Sequence, residues 1–260
     1  VTKLGNYVFD SSELTTITFE SGSALTSFGT NVFKASKLQK ITIPEKVTTL
    51  GKNMFQNCYE LEEVKFDGVK VTAIPQYCFQ NCSALKTVEL PSSVKTIDTY
   101  AFDACTSLET FEFPAAITGV KGYVFRGCTA LKRIEIPATI TILSEYLFQN
   151  CTSLSEVVFP NTLKRIGTVG STSATSTTAD KGYVFAGCTS LTSVEFPESL
   201  EFIAPRSFQN TGLVTVTLPK NLKYLTARTQ LLSAGSASFG NVSRTTAATD
   251  TSSYVAGQFQ

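Results

Sequence analysis

Cysteine is the residue type whose spacing in this chain most invites a chemical explanation. The chain contains seven cysteines and no histidine, and six of the cysteines follow a phenylalanine at the same interval. A zinc site would need four converging ligands, which could only be cysteines or carboxylates here. A disulfide framework is also disfavoured, because the number is odd and one repeat position explains six of the seven. We therefore expect reduced thiols stacked in a hydrophobic core, with neither a metal nor a cofactor. The cysteines are Cys58, Cys78, Cys82, Cys105, Cys128, Cys151 and Cys188.

The sequence lacks the residue combinations that enzymes most often use for catalysis. Without histidine, neither a Ser-His-Asp nor a Cys-His arrangement can form. Glutamates can act in pairs on glycosidic bonds, but those found here alternate along short segments, with nothing to raise the pKa of one partner. Lysine plus arginine number 22 and aspartate plus glutamate 21, and this net charge of +1 argues against nucleic acid as a partner. No apolar run approaches the roughly 18 residues that cross a bilayer. We expect a protein that is not an enzyme, binds no nucleic acid and does not insert into a membrane.

Charged residues that alternate with apolar ones form the first candidate binding surface. Glu89, Glu112 and Glu135 recur at intervals of 23 residues. Like charges on adjacent strands repel each other, so three stacked glutamates need a reason. They form either an acidic stripe on a recognition face or a solvated face screened by salt, and the sequence leaves both open. The candidate partner-binding residues are Lys65, Glu89, Glu112, Arg133, Glu135, Glu156 and Glu195.

Tyrosines form a second candidate surface. They recur two positions before the repeated phenylalanine, which places them in one column of a repeat structure. Such a row could bind sugar rings or a protein. The favoured alternative is that each ring covers the core of its unit and keeps its hydroxyl in water. The candidates are Tyr77, Tyr100, Tyr123, Tyr146 and Tyr183.

An internal repeat must position all of these residues. Phenylalanine recurs from Phe9 to Phe208 in steps of 24, 22, 24, 23, 23, 23, 37 and 23 residues. Each unit contains L-x-x-V-x-F, whose alternation predicts a short strand with one buried face, and a proline then ends most of these strands. A unit of about 23 residues cannot bury its own apolar side chains, so stacked units are expected to form a solenoid. The nine expected strands are residues 14–19, 38–43, 61–66, 85–90, 108–113, 131–136, 154–159, 191–196 and 213–218.

The repeat resembles the BspA-like leucine-rich repeats. Its motif, L-x-x-V-x-F-P followed by V-x-x-I-x-x-x-x-F-x-x-C, is seen from Leu85 to Cys105 and from Leu131 to Cys151. The resemblance covers about residues 1–225 and departs from the motif at Ser12, Ser36 and Thr211, which occupy or neighbour the cysteine position. It implies a curved solenoid with short parallel strands on one face and turns or loops, with little helix, on the other. It also implies surface or secreted proteins that act in adhesion, and it implies no catalytic residues.

Two segments interrupt the repeat. Residues 167–182 are rich in Ser, Thr and Gly and are expected to form a surface insertion in the solenoid of residues 1–225. Residues 226–260 are also rich in Ser and Thr and are expected to form a divergent terminal unit or a cap. The chain begins with Val1, so we expect it to start inside a longer protein.

The functional hypothesis follows from the repeat, the charge and the resemblance. We expect an extracellular or cell-surface binding module whose partner is a protein, and the resemblance implies a host extracellular matrix or cell-surface protein such as fibronectin. A structural spacer of a larger surface protein and a carbohydrate-binding repeat module are the alternatives. The sequence leaves the ligand and the oligomeric state open.

Overall fold

A computed structural model describes residues 1–168 and 181–225 as a solenoid of stacked parallel strands, and these residues contain no helix. The predicted repeat solenoid is therefore confirmed. The strands of the described part are β1 (Lys3–Leu4), β2 (Ser27–Phe28), β3 (Lys40–Thr42), β4 (Glu63–Lys65), β5 (Ala73–Ile74), β6 (Thr96–Ile97), β7 (Gly119–Val120), β8 (Arg133–Glu135), β9 (Ile142–Leu143), β10 (Glu156–Val158), β11 (Arg165–Ile166), β12 (Phe202–Ile203) and β13 (Tyr224–Leu225).

One side of each coil contains the strands that the L-x-x-V-x-F pattern predicts. There β3 pairs with β4, and β8 pairs with β10, each in parallel and in the register of the repeat. In the first unit, residues 14–19 contribute only a bridge from Thr16 to Lys40. Residues 85–90, 108–113, 191–196 and 213–218 follow the same path without forming strands. Residues 85–90 and 108–113 still meet in register, because the Glu109 amide donates to the Lys86 carbonyl at 3.0 Å.

A second ladder of strands lies on the side that the resemblance assigned to turns. The pairs β1–β2, β5–β6–β7 and β9–β11–β12–β13 are all parallel, with two residues to each strand. These strands hold the V-x-x-I part of the repeat, whose Ile97 and Leu143 are fully buried. Two apolar residues per turn are too short a run to show alternation, so the pattern did not predict this ladder.

The third side of each coil is formed by the phenylalanine segment. Each ring stacks on the next from Phe9 to Phe208, with centroids 5.1–5.8 Å apart. The Phe79 amide donates to the Ala101 carbonyl of the following unit at 2.8 Å, and the Phe125 amide donates to Leu147 at 3.0 Å. Residues two before and two after the phenylalanine have a positive φ in all nine units from Phe9 to Phe208, and in most units their amides also donate to carbonyls of the next unit.

The cysteines fill the interior beside this segment. All seven are free and buried, as predicted. Each cysteine of the repeated position donates its thiol to the carbonyl of a phenylalanine in the preceding unit, at 2.9–3.2 Å. Ser36 occupies the same position in the second unit and lies 3.5 Å from the Cys58 Sγ. Burial removes the water that would stabilise a thiolate, so it raises the pKa of Cys58 to about 11 and of Cys188 to about 12.

The expected insertion begins and ends at one point of the solenoid. Thr168 and Lys181 exchange two backbone hydrogen bonds of 2.9 Å in an antiparallel bridge. The rest of the insertion, residues 169–180, and the predicted terminal unit or cap, residues 226–260, lie outside the described residues. The division of the chain at residue 225 remains a prediction. Within residues 1–168 and 181–225, no helix is long and apolar enough to cross a membrane.

Candidate partner-binding surfaces

The candidate charged residues lie on the side of the coil that contains β3, β4, β8 and β10, called here the first strand ladder. Arg133 lies beside Glu156 and Glu135 beside Val158 in the β8–β10 pair, and Lys65 lies beside Thr42 in the β3–β4 pair. The side chains of these charged residues are exposed, while Ile134 and Val64 between them are buried. The alternation therefore places one charged face outside the core, as the sequence predicted.

Ion pairs neutralise only part of this face. Arg133 contacts Glu156 at 2.9 Å and Glu135 at 3.0 Å, and these carboxylates raise its pKa, Glu156 first. Glu89 and Glu112 are exposed and form no ion pair with a described residue. The three glutamates that the sequence aligned are thus unequal, because Glu135 has a cationic partner and the other two do not.

Two hollows open on the same side, at the units that lack a proline after the strand. The first has a volume of about 360 Å³ and extends from Ile17 to Asp67, and the second, of about 380 Å³, extends from Glu62 to Pro91. They share Asp67, which stands where other units have proline. Their charged lining consists of six carboxylates and Lys65: Glu20, Glu45, Glu62, Glu63, Asp67 and Glu89. These hollows were not predicted from the sequence, although Glu20 and Asp67 in the proline position were a visible signal.

The five predicted tyrosines form one continuous stack, called here the tyrosine ladder. Its ring centroids are 5.1, 4.5, 4.5 and 4.9 Å apart from Tyr77 to Tyr183, and the rings are partly buried. Neighbouring rings cover each other's faces, so edges and hydroxyls remain at the surface. Tyr7 has the same repeat position but stands apart, 58% exposed, because Asn31 and Asn53 separate it from the ladder.

The backbone of the tyrosine ladder is left-handed. Tyr100 and Tyr123 have φ values of 61° and 63°, and the other rungs are similar. This conformation costs a non-glycine residue about 1–2 kcal/mol, and asparagine tolerates it best. Asn31 and Asn53 occupy the position in two earlier units. Five tyrosines in succession therefore replace a residue type better suited to the backbone.

Charged groups flank the centre of the tyrosine ladder. Arg126 lies 5.2 Å from the Tyr100 ring centroid and 5.6 Å from that of Tyr123, and it pairs with the buried Asp103 at 2.7 Å. Burial, followed by the neighbouring rings and the Glu145 carboxylate, raises the pKa of Tyr123 to about 12. Glu145 also accepts a hydrogen bond from Thr168 at 2.9 Å. Asp103, Arg126 and Glu145 were not predicted from the sequence, because their positions in the repeat hold unrelated residues in other units.

The described residues offer no group of three or more His, Cys, Asp or Glu side chains that could hold a metal ion. The two candidate surfaces of the described part offer charged side chains, phenol hydroxyls and two open hollows.

Comparisons with known proteins agree with this architecture. The model of the BspA type leucine-rich repeat region matches in six copies, over residues 1–71, 72–173 and 171–231. The crystal structure of the T. pallidum leucine-rich repeat protein is similar with 21% sequence identity and a TM-score of 0.56, over 73% of this chain and 82% of that chain.

A second solved structure, the pneumococcal vaccine antigen PcpA, is similar with 22% identity and a TM-score of 0.59. The match covers 86% of this chain and 55% of that chain, so this chain corresponds to about half of the antigen chain. No curated protein sequence matches the chain. At these identities the two solved structures show a shared fold.

Proposed function

Because the chain belongs to the BspA-type leucine-rich repeat family, we propose that it is a non-catalytic protein-binding module of a cell surface, with the role of an adhesin. Solenoids of this family are typically binding scaffolds. One solved neighbour is described as a vaccine antigen, which agrees with a position outside the cell. The partner is a protein with a basic contact surface, and the expected class is host extracellular matrix or cell-surface protein.

The unpaired glutamates of the first strand ladder are the observation behind this proposal. Glu89 and Glu112 are exposed and form no ion pair with a described residue, whereas Glu135 and Glu156 share the one cation of Arg133. Uncompensated charge on a strand face weakens the fold slightly. A binding face has a reason to keep it, because complementary charge speeds association and fixes the register of the partner. The acidic hollows beside Glu89 extend the same surface toward Glu20.

The two alternative functions are less well supported. A structural spacer has no use for unpaired glutamates in positions where Thr18, Thr42 and Thr217 serve other units. A carbohydrate site would need exposed aromatic faces, but the faces of the tyrosine ladder are turned to one another.

Binding to an immobilised panel of matrix proteins that includes fibronectin tests the proposal. We expect the chain to bind at about 50 mM NaCl and to bind less at about 500 mM, where the Debye length is much shorter. The double variant Glu89→Thr/Glu112→Thr should weaken binding at low salt, while its thermal stability stays equal or rises.

Glu198→Thr is the matched control, since Glu198 is exposed and lies in a turn away from the strand columns. It should leave binding unchanged. Equal binding by the double variant and the wild type at low salt would remove the strand face as the site. Failure of the wild type to bind any matrix or cell-surface protein would favour the spacer.

A further inference from the structure

The first unit of the solenoid exposes a side that is covered in every later unit. Val8 is 46% exposed, whereas the residues at the same repeat position in the following units are at most 1% exposed. Phe9 stacks on Phe33 at a centroid distance of 5.5 Å, and no other described ring covers its second face. A terminal repeat that acts as a cap has a polar outer face instead. The first unit is therefore built like an internal one, and its uncovered side, residues 8–15, is called here the open edge.

The backbone of the open edge has unused hydrogen-bonding groups. The Gln39 amide donates to the Thr15 carbonyl of the preceding unit at 2.9 Å, but the Thr15 amide, at the same repeat position as Gln39, has no partner among the described residues. The Phe9 amide donates to the Val32 carbonyl of the following unit at 2.8 Å. The Val8 carbonyl corresponds to that of Val32 and receives no donor from the described residues. These unpaired groups match those that each coil offers to the coil before it.

Two buried side-chain oxygens of the open edge also lack a partner. The Oδ1 atom of Asp10 is buried without a hydrogen bond to any described residue. Asp103 has the same repeat position, and Gln80 of the preceding unit donates to its Oδ2 atom at 2.7 Å. The Oγ atom of Ser12 is likewise buried and unpaired, at the position where six cysteines donate to a phenylalanine carbonyl of the preceding unit. Buried polar atoms are nearly always paired, so these two point to a missing neighbour.

The register of β1 shows which neighbour fits. β1 pairs in parallel with β2, with Lys3 beside Ser27 and Leu4 beside Phe28. Residues 1–4 therefore take the place that V-x-x-I takes at residues 94–97 of a later unit. They form the second-ladder part of a coil that precedes the first phenylalanine. The other two sides of that coil, its strand and its phenylalanine segment, belong directly over the open edge.

We propose that the open edge is a docking surface for one further coil of the same repeat, supplied by polypeptide directly preceding Val1. This coil places an apolar side chain over Val8, a phenylalanine over Phe9 and a side-chain donor beside Asp10. The first strand ladder then continues by one strand beyond Thr16. The candidate partner-binding face accordingly extends past the hollow that contains Glu20.

A chain with a copy of residues 75–93 appended before Val1 tests the docking. In their own place these residues precede Val94, so the copy joins Val1 in the register of the repeat. We expect the melting temperature to rise by about 4 °C or more, because the copy buries Val8 and the free face of Phe9. Hydrogen exchange at the Thr15 amide should slow by about tenfold or more, since the copy supplies its acceptor.

The matched control is the same appended copy with Phe79→Ser and Leu85→Ser in the copy alone. It adds the same length without the two apolar side chains that stack, so the melting temperature and the exchange at Thr15 should stay at the wild-type values. A copy of residues 121–139, which precede Ile140 in the same register, is the second version if the first chain does not fold. It should give the same two gains.

Three results would overturn the proposal. The first is an unchanged melting temperature with fast exchange at Thr15 in both extended chains. The second is an equal gain from the control copy, because added length and not stacking would then be the cause. The third is a wild-type chain that sediments as a dimer and becomes monomeric when the copy is appended, because the open edge would then be an interface between two copies of the chain.

Discussion

The buried thiols predict a steep loss of stability in mild alkali. An unfolded cysteine has a pKa of about 8.5, whereas burial raises the pKa of Cys58 to about 11 and places those of Cys82 and Cys128 well above the ordinary value. Above the unfolded value, the unfolded chain releases protons that the native protein retains. The free energy of unfolding therefore falls as the pH rises, and the loss begins near pH 8.5 and continues until the native thiols ionise.

The size of this loss follows from the number of thiols. At pH 10 an unfolded thiol is stabilised by ionisation by about 2 kcal/mol, while a native thiol of raised pKa gains almost nothing. All seven cysteines of the chain are free and buried, so their combined effect is about 14 kcal/mol. Domains of ordinary stability have only about 5–15 kcal/mol in total, so we expect the protein to unfold by about pH 10.

Urea titrations under a reducing agent, between about pH 7 and 10, measure this effect. Cys105→Ser places in one unit the residue type that Ser36 shows to be tolerated at that position. It should reduce the loss between pH 7 and pH 10 by about 2 kcal/mol, whatever its cost at neutral pH. A free energy of unfolding that stays constant to pH 10 would refute the reasoning, as would thiols that react in the native protein at neutral pH.

Two further outcomes are expected from the fold. Phe125→Ala opens a cavity in the middle of the aromatic stack and should lower the free energy of unfolding in urea by about 3–5 kcal/mol. Phe9→Ala, at the partly exposed end of the stack, should lower it less. Equal losses in the two variants would contradict the stacking. Replacing residues 169–180 by Asn-Gly should leave the melting temperature within a few degrees, because Thr168 and Lys181 form an antiparallel bridge that a two-residue turn can close. A large decrease would mean that the insertion stabilises the solenoid.

The fold was largely predictable because a repeat repeats its contacts. Three features recur at the same position in successive units, so each residue type stacks on its own kind. They are the phenylalanine at intervals of about 23 residues, the alternation around Val88 or Ile134, and the shared cysteine. One stacking rule therefore predicted the parallel register, the buried thiols and the column of tyrosines. The second strand ladder could not be predicted in this way, because two-residue strands such as β6 are too short to show a period.

The candidate surfaces were likewise predictable in part from the sequence. The sequence by itself placed Glu89, Glu112 and Glu135 in one exposed column, since side-chain direction follows from the period of the strand. Only the tertiary structure decided that Arg133 pairs with Glu135 and that Arg126 pairs with Asp103 beside the tyrosine rings. Long charged side chains form ion pairs with residues of neighbouring units, and which pair forms depends on rotamers and on distances of a few ångströms. A sequence period determines which residues share a face, and the three-dimensional packing determines which of their charges stay unpaired.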